Sequence, residues 1–109
     1  MLRAAGASVV GPAHLAAKER GQDALSLRGW RGGWIACVAD GLGSRALSHL
    51  GSATAVRCAQ AVLRRAQRFE DDPKAVATES YRDWRRSLGP TRNTEAATTL
   101  LIAGCDASG

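Results

Sequence analysis

The chain has 109 residues, 45% of them hydrophobic, enough for one small domain that buries roughly two-thirds of the surface its unfolded form exposes. Fifteen basic residues against ten acidic ones give a formal charge of +5. No apolar run approaches the ~18 residues of a membrane span, and the N-terminal stretch, broken by Gly6, Gly11 and Pro12, makes a poor signal peptide, so a soluble cytoplasmic domain is expected.

Residues 7–11 (ASVVG) read as a short first strand, and 14–22 as a polar connector that turns at Gly21. Residues 23–30 (DALSLRGW) alternate, with Leu25 and Leu27 on one side and Ala24 and Ser26 on the other, the period of a half-buried strand. After the turn residues RGG comes WIACVA (34–39), an unbroken apolar run too short for a helix. It reads as a strand covered on both faces. Past DGLGS (40–44) the period changes: Leu47, Leu50, Ala55, Val56, Ala59, Val62 and Leu63 recur at three- and four-residue steps. That spacing predicts an amphipathic helix over roughly 46–68, with Ser44 or Ser48 as its cap. EDDP (70–73) stops it and opens a second helix, roughly 73–87, that ends at LGP. TRNTEA is a loop, and ATTLLIAGC (97–105) a second buried-type strand.

The order β-β-β-α-α-β predicts an α+β domain with antiparallel sheet and two helices over one face. Nothing obvious in the sequence covers the other face, so a truncated domain with association-prone sheet edges is expected. Cys37, Cys58 and Cys105 sit in apolar runs, at spacings that match no zinc or redox motif, and read as small buried hydrophobes. Thirteen of the fifteen basic residues are arginine, most of them after Ser44. Only Tyr81 and Trp84 interleave with them as base-stacking groups, so the arginines read as a solvated helix surface and no nucleic-acid partner is expected.

The chemistry concentrates where WIACVA runs into Asp40. If strands 23–29 and 34–39 form a hairpin about Arg31 and Gly32, paired residue numbers sum to 63 and Asp23 falls opposite Asp40. Directly opposite residues share a face, with Cβ atoms ~4.5–5.5 Å apart. A turn centred on Gly32 puts the two acids one step out of register. Two carboxylates so placed persist if one takes a proton or a cation sits between them. An all-oxygen ligand set suits Mg²⁺ or Mn²⁺. Gly41, lacking a side chain, lets its carbonyl approach an ion closely. Asp-Gly is equally a strand-to-helix turn, and the residues alone leave both readings open. No GxxxxGK[ST], calcium-loop or HExxH pattern is present. His49, early in the first helix, reads as half-exposed or hydrogen-bonded, and His14 as a residue that can face a phosphate.

The ordered set GQDA (21–24), VADGLGS (38–44), SHLGSATAV (48–56) and ATTLLIA (97–103) resembles the N-terminal part of the PPM-type metal-dependent protein phosphatases, also called protein phosphatase 2C, and most of all their bacterial branch. The resemblance implies an α-β-β-α sandwich of two antiparallel sheets flanked by helices. It implies a binuclear Mg²⁺/Mn²⁺ centre and hydrolysis of phosphoserine or phosphothreonine in a phosphoprotein substrate. Asp40 matches the metal-bridging aspartate, Gly41 the glycine that ligates through its carbonyl, and Asp23 the acid that acts through metal-bound water. Three departures accompany it. Gln22 stands where many members carry a ligating Glu. Lys18 stands near the position of a phosphate-holding Arg, without its bidentate grip. The later metal-binding aspartates of the family have no match in this chain. The expected protein is thus about half of a phosphatase domain, weakly active or inactive alone. The alternative is a non-catalytic interaction module that holds an acidic or phosphorylated partner on basic helices.

Overall fold

The computed structural model describes residues 5–7, 12, 21–65, 72–90 and 92–107. β1 (Asp23–Trp30) and β2 (Gly33–Asp40) form an antiparallel hairpin closed by Arg31 and Gly32. Both turn residues have positive φ, 49° and 77°, the sign pattern of a type I′ turn, whose twist matches that of the strands. Glycine adopts this freely; Arg31 does not, and its guanidinium lies 4.8 Å from the centre of the Trp30 ring, a contact that offsets part of the cost. β3 (Leu101–Cys105) pairs antiparallel with β2, so the sheet order is β1-β2-β3.

Two helices cover one face of this sheet. Ile35, Cys37 and Ala39, alternate residues of β2, pack against Ala55, Ala59, Val62 and Leu63 of α1 (Ser48–Arg65) and Val76 of α2 (Pro73–Leu88). The Gln60 amide, buried among them, donates to the Ile35 carbonyl at 3.4 Å. The start of α2 follows its sequence signature. Asp72 accepts from the Ala75 N–H at 3.0 Å, and Pro73 occupies the first turn, where its missing N–H costs nothing. Gly89, at φ 81°, ends the helix with its N–H on the Arg85 carbonyl. Asp72→Ala should therefore cost about 1 kcal/mol in a denaturant melt, the usual worth of an N-cap.

Among the described residues no second sheet or helix covers the opposite face. Alternation places Leu25, Leu27, Trp34, Ala36 and Val38 there with Leu101 and Ala103 of β3. Val38 is 43% and Leu101 69% exposed. β2 is thus covered on one face rather than two, because the described residues supply one sheet and one helical layer. The second sheet of a four-layer sandwich is not among them. Gly6 abuts the Leu25 side chain on this outer face. The expected strand at 7–11 and the helix end at 66–68 fall largely or wholly outside the described residues. The expected strand 97–105 is shorter than its apolar run, because Thr98 and Thr99 bond to the end of β2 before regular pairing begins.

Of the three cysteines, Cys37 is fully buried, Cys58 buried and Cys105 only half-buried on the edge strand. Burial pushes the Cys37 thiol up to about 11 from its ordinary 9.0. A raised thiol pKa favours the folded state until the unfolded chain begins to ionise. The contribution is complete below pH 9 and lost as pH rises toward about 11. The urea midpoint of wild type should fall across that window more steeply than that of Cys37→Ala. In the native protein a thiol-alkylating reagent should reach Cys105 first and Cys37 last.

Candidate metal centre

The site is built where β2 leaves the sheet. Asp23 and Asp40 are register partners, and both lie on the exposed outer face. One step further out the Gly41 N–H donates to the Gln22 carbonyl at 3.0 Å. Those two residues are the hydrogen-bonded pair, so Asp23 and Asp40 form the other kind, in which side chains approach more closely. No described basic side chain makes an ion pair with Asp40.

The backbone of Asp40 is held from the opposite side. The Thr99 N–H donates to the Asp40 carbonyl at 2.9 Å, and the Thr98 hydroxyl donates to the same oxygen at 3.1 Å. The Asp40 N–H donates to the Thr99 hydroxyl at 3.1 Å. The segment after the 3₁₀ turn Asn93–Glu95 then clamps the DGLGS loop: Leu42 N–H donates to Ala97 O at 2.9 Å and Leu47 N–H to Glu95 O at 2.7 Å. From the sequence, Thr98 and Thr99 are simply part of the strand expected over 97–105. Their part in fixing the acid becomes visible only once β3 is known to pair beside β2.

Gly41 has a packing reason to be glycine. A Cβ there would lie 2.5 Å from the Gln22 carbonyl oxygen and 2.9 Å from that of Ser48. Ser48 is fully buried as the first residue of α1, and its hydroxyl donates to the Leu42 carbonyl. It latches the loop to the helix, which differs from the cap role expected of it; Ser44 is exposed. His49 is half-buried in the first turn of α1. Lys18 and His14 lie outside the described residues.

The donor set is two carboxylates on one solvent-facing strand pair, with an adjacent glycine carbonyl. It suits a hard divalent cation in chemistry. It is partial in number: among the described residues no group of three or more metal-ligating side chains occurs. A second concavity, of about 760 Å³, lies between α2 and β3, walled by Val76, Trp84, Leu100 and Ile102. Ser80 lines it with a buried hydroxyl that has no hydrogen-bond partner among the described residues. No described helix is long and apolar enough to cross a membrane.

The comparison with known families is specific: a family model for protein phosphatase 2C matches residues 10–108. The chain belongs to the protein phosphatase 2C family. No curated protein and no solved structure matches it.

Proposed function

We propose that the chain supplies one half of a metal-dependent phosphatase centre for phosphoserine or phosphothreonine in proteins, and is weakly active by itself. The observation that supports this reading is the pairing of Asp23 with Asp40 on one exposed face, in a chain of this family. Asp40, Asp23 and the Gly41 carbonyl would hold Mg²⁺ or Mn²⁺, two ions in a complete centre. When bound, such a cation lowers the pKa of water and neutralises phosphoryl oxygens. The residues of this chain do the positioning. Thr98 and Thr99 fix the Asp40 backbone, and the Ser48 hydroxyl holds the loop that follows it. Lys18 and His14 are candidates for the phosphate itself.

A second reading has its own observation. Arg82, Arg85 and Arg86 line a shallow depression on α2 with Thr78, Tyr81 and Pro90. Arg86 faces Asp83 at 3.5 Å, while Arg85 lies over the Tyr81 ring. Such a surface can retain an acidic or phosphorylated segment without hydrolysing it. Phosphate release from a phosphothreonine peptide separates the two. Slow release that needs Mn²⁺, stops with chelator and is lost in Asp40→Asn supports the phosphatase half. Retention of the peptide without release, unaffected by Asp40→Asn and lost on replacing Arg82 and Arg85, supports the binding module.

A further inference from the structure

We propose that the groove between α2 and β3 binds a small amphipathic anion, an aromatic body carrying a carboxylate or sulfonate, with its rings in the groove and its charge on Arg85. The groove follows from the layering. α1 packs on β1 and β2, and α2 packs on α1 rather than squarely on the sheet. The space left between α2 and β3 holds about 760 Å³, within the ~300–1,000 Å³ usual for small-ligand sites. Its walls, Val76 and Trp84 on one side and Leu100 and Ile102 on the other, consist of described residues. The Trp84 ring is fixed, because its N–H donates to the Gly51 carbonyl at 3.0 Å. Tyr81 stacks on it, with ring centres 6.1 Å apart and planes 17° from parallel. A rigid aromatic wall favours a flat ring over a flexible chain, which would lose more conformational freedom on binding.

Two polar features define the rest of the ligand. Ser80, 2% exposed, lines the groove, and its hydroxyl has no hydrogen-bond partner among the described residues. A buried hydroxyl left alone is costly, and it can donate or accept. A ligand with one polar atom set in its apolar body relieves that cost. The charged end is set by the rim. Tyr81 and Arg85 line both the groove and the shallow depression that holds Arg82, Arg86 and Pro90. No acidic residue lines either concavity. Arg86 faces Asp83 at 3.5 Å, and Asp83 also takes Arg65 at 3.0 Å. Arg82 and Arg85 pair with no described acid; Arg85 lies 5.8 Å from the centre of the Tyr81 ring. A guanidinium so placed can grip a carboxylate or sulfonate with two parallel hydrogen bonds. A second copy of the chain would set the same arginines against one another, so charge favours a small anion as the occupant. Thr98, another residue of the groove, donates to the Asp40 carbonyl, so the ligand would lie beside a group that positions the acid. The binding itself does not depend on the metal reading of Asp40.

The test is a fluorescence titration of the full chain, in chelator, with two probes. Anilinonaphthalene sulfonate has fused rings, one N–H in its body and an anionic end; phenylnaphthylamine is the same molecule without the sulfonate. The expected result is saturable binding of one sulfonate per chain, tighter than that of the uncharged amine. Arg85→Gln, on the exposed rim, should weaken the sulfonate about tenfold and change the amine less than about twofold. Ser80→Ala should weaken both about threefold while its Tm stays equal to wild type or rises, since the hydroxyl has nothing to lose in the empty groove. Ala77→Phe, at an exposed position lining the groove, should fill it and abolish both signals with unchanged circular dichroism. Arg57→Gln, exposed on α1, should change neither. The absence of saturable binding overturns the proposal, as does binding of several probes per chain. So does a folded Ala77→Phe variant that still binds, which places the probe elsewhere. Sulfonate affinity that Arg85→Gln leaves intact, or loses equally with the amine, overturns the assignment of the charged end, whether or not Ala77→Phe folds.

Discussion

Wild-type protein should melt higher in millimolar Mn²⁺ than in chelator, and Asp40→Asn should show only a small fraction of that rise. A ligand that binds only the native state stabilises it by about 2.7 kcal/mol at a hundredfold excess over Kd. For a chain of 109 residues that is on the order of 10 °C in Tm. In chelator the variant should stay within about 0.5 kcal/mol of wild type, because Asp40 is exposed and its backbone anchors, Thr98 and Thr99, do not involve the carboxylate. With metal, the variant retains Asp23 and the Gly41 carbonyl but has lost a charged oxygen ligand, and the shift should shrink to a small fraction. Protein concentration must be equal across the four melts, since self-association also raises Tm. Equal shifts for both proteins would reduce Asp40 to a turn residue.

Gly51→Ala should be strongly destabilising for so conservative a change. Inside a helix this substitution ordinarily gains up to ~1 kcal/mol. Here the added Cβ would sit 1.8 Å from the Ala96 carbonyl oxygen and 3.1 Å from the Ala96 Cβ. The obstacle is backbone, so no rotamer relieves it. Pushing Ala96 away strains the Leu47–Glu95 and Leu42–Ala97 bonds that clamp the loop after Asp40. The Trp84 indole, which donates to the Gly51 carbonyl at 3.0 Å, would also be displaced. The steric term exceeds the propensity gain, for a net loss of about 3 kcal/mol or more in a urea melt. A variant as stable as wild type would show that residues 95–97 do not pack on α1 in this way.

The elements legible in advance were those whose signal is local. The alternation of DALSLRGW, the change of period after DGLGS and the Asp-Pro start of α2 each lie in a few consecutive residues, and all three became the expected elements. The Asp23–Asp40 pairing was legible too, because a two-residue turn converts position into register by counting. What could not be read was set by distant contacts. Thr98 and Thr99 lie 58 and 59 residues from the acid they hold. Gly51 looks like an ordinary small helical residue until the Ala96 backbone arrives beside it. The exposure of Val38 and Leu101 likewise depends on which face the helices choose, and an unbroken apolar run does not encode that choice.

The Arg31–Gly32 turn works as a gauge block. It sits at the far end of both strands from the acids, yet its length decides which residues meet at the rim. β2 cannot slide, because Ile35, Cys37 and Ala39 are set into the helical layer. A single residue inserted in the turn would therefore be absorbed by β1. A one-step slip sends alternate side chains to the other face, so Asp23 would trade places with the neighbour that now packs inward, Ala24. No atom near the candidate centre would have been edited, and the carboxylates would still part. Loop length, at a remote hairpin tip, thereby becomes a ligand-spacing variable, and Arg31 in its left-handed conformation is held to a dimension that its own side chain does not favour.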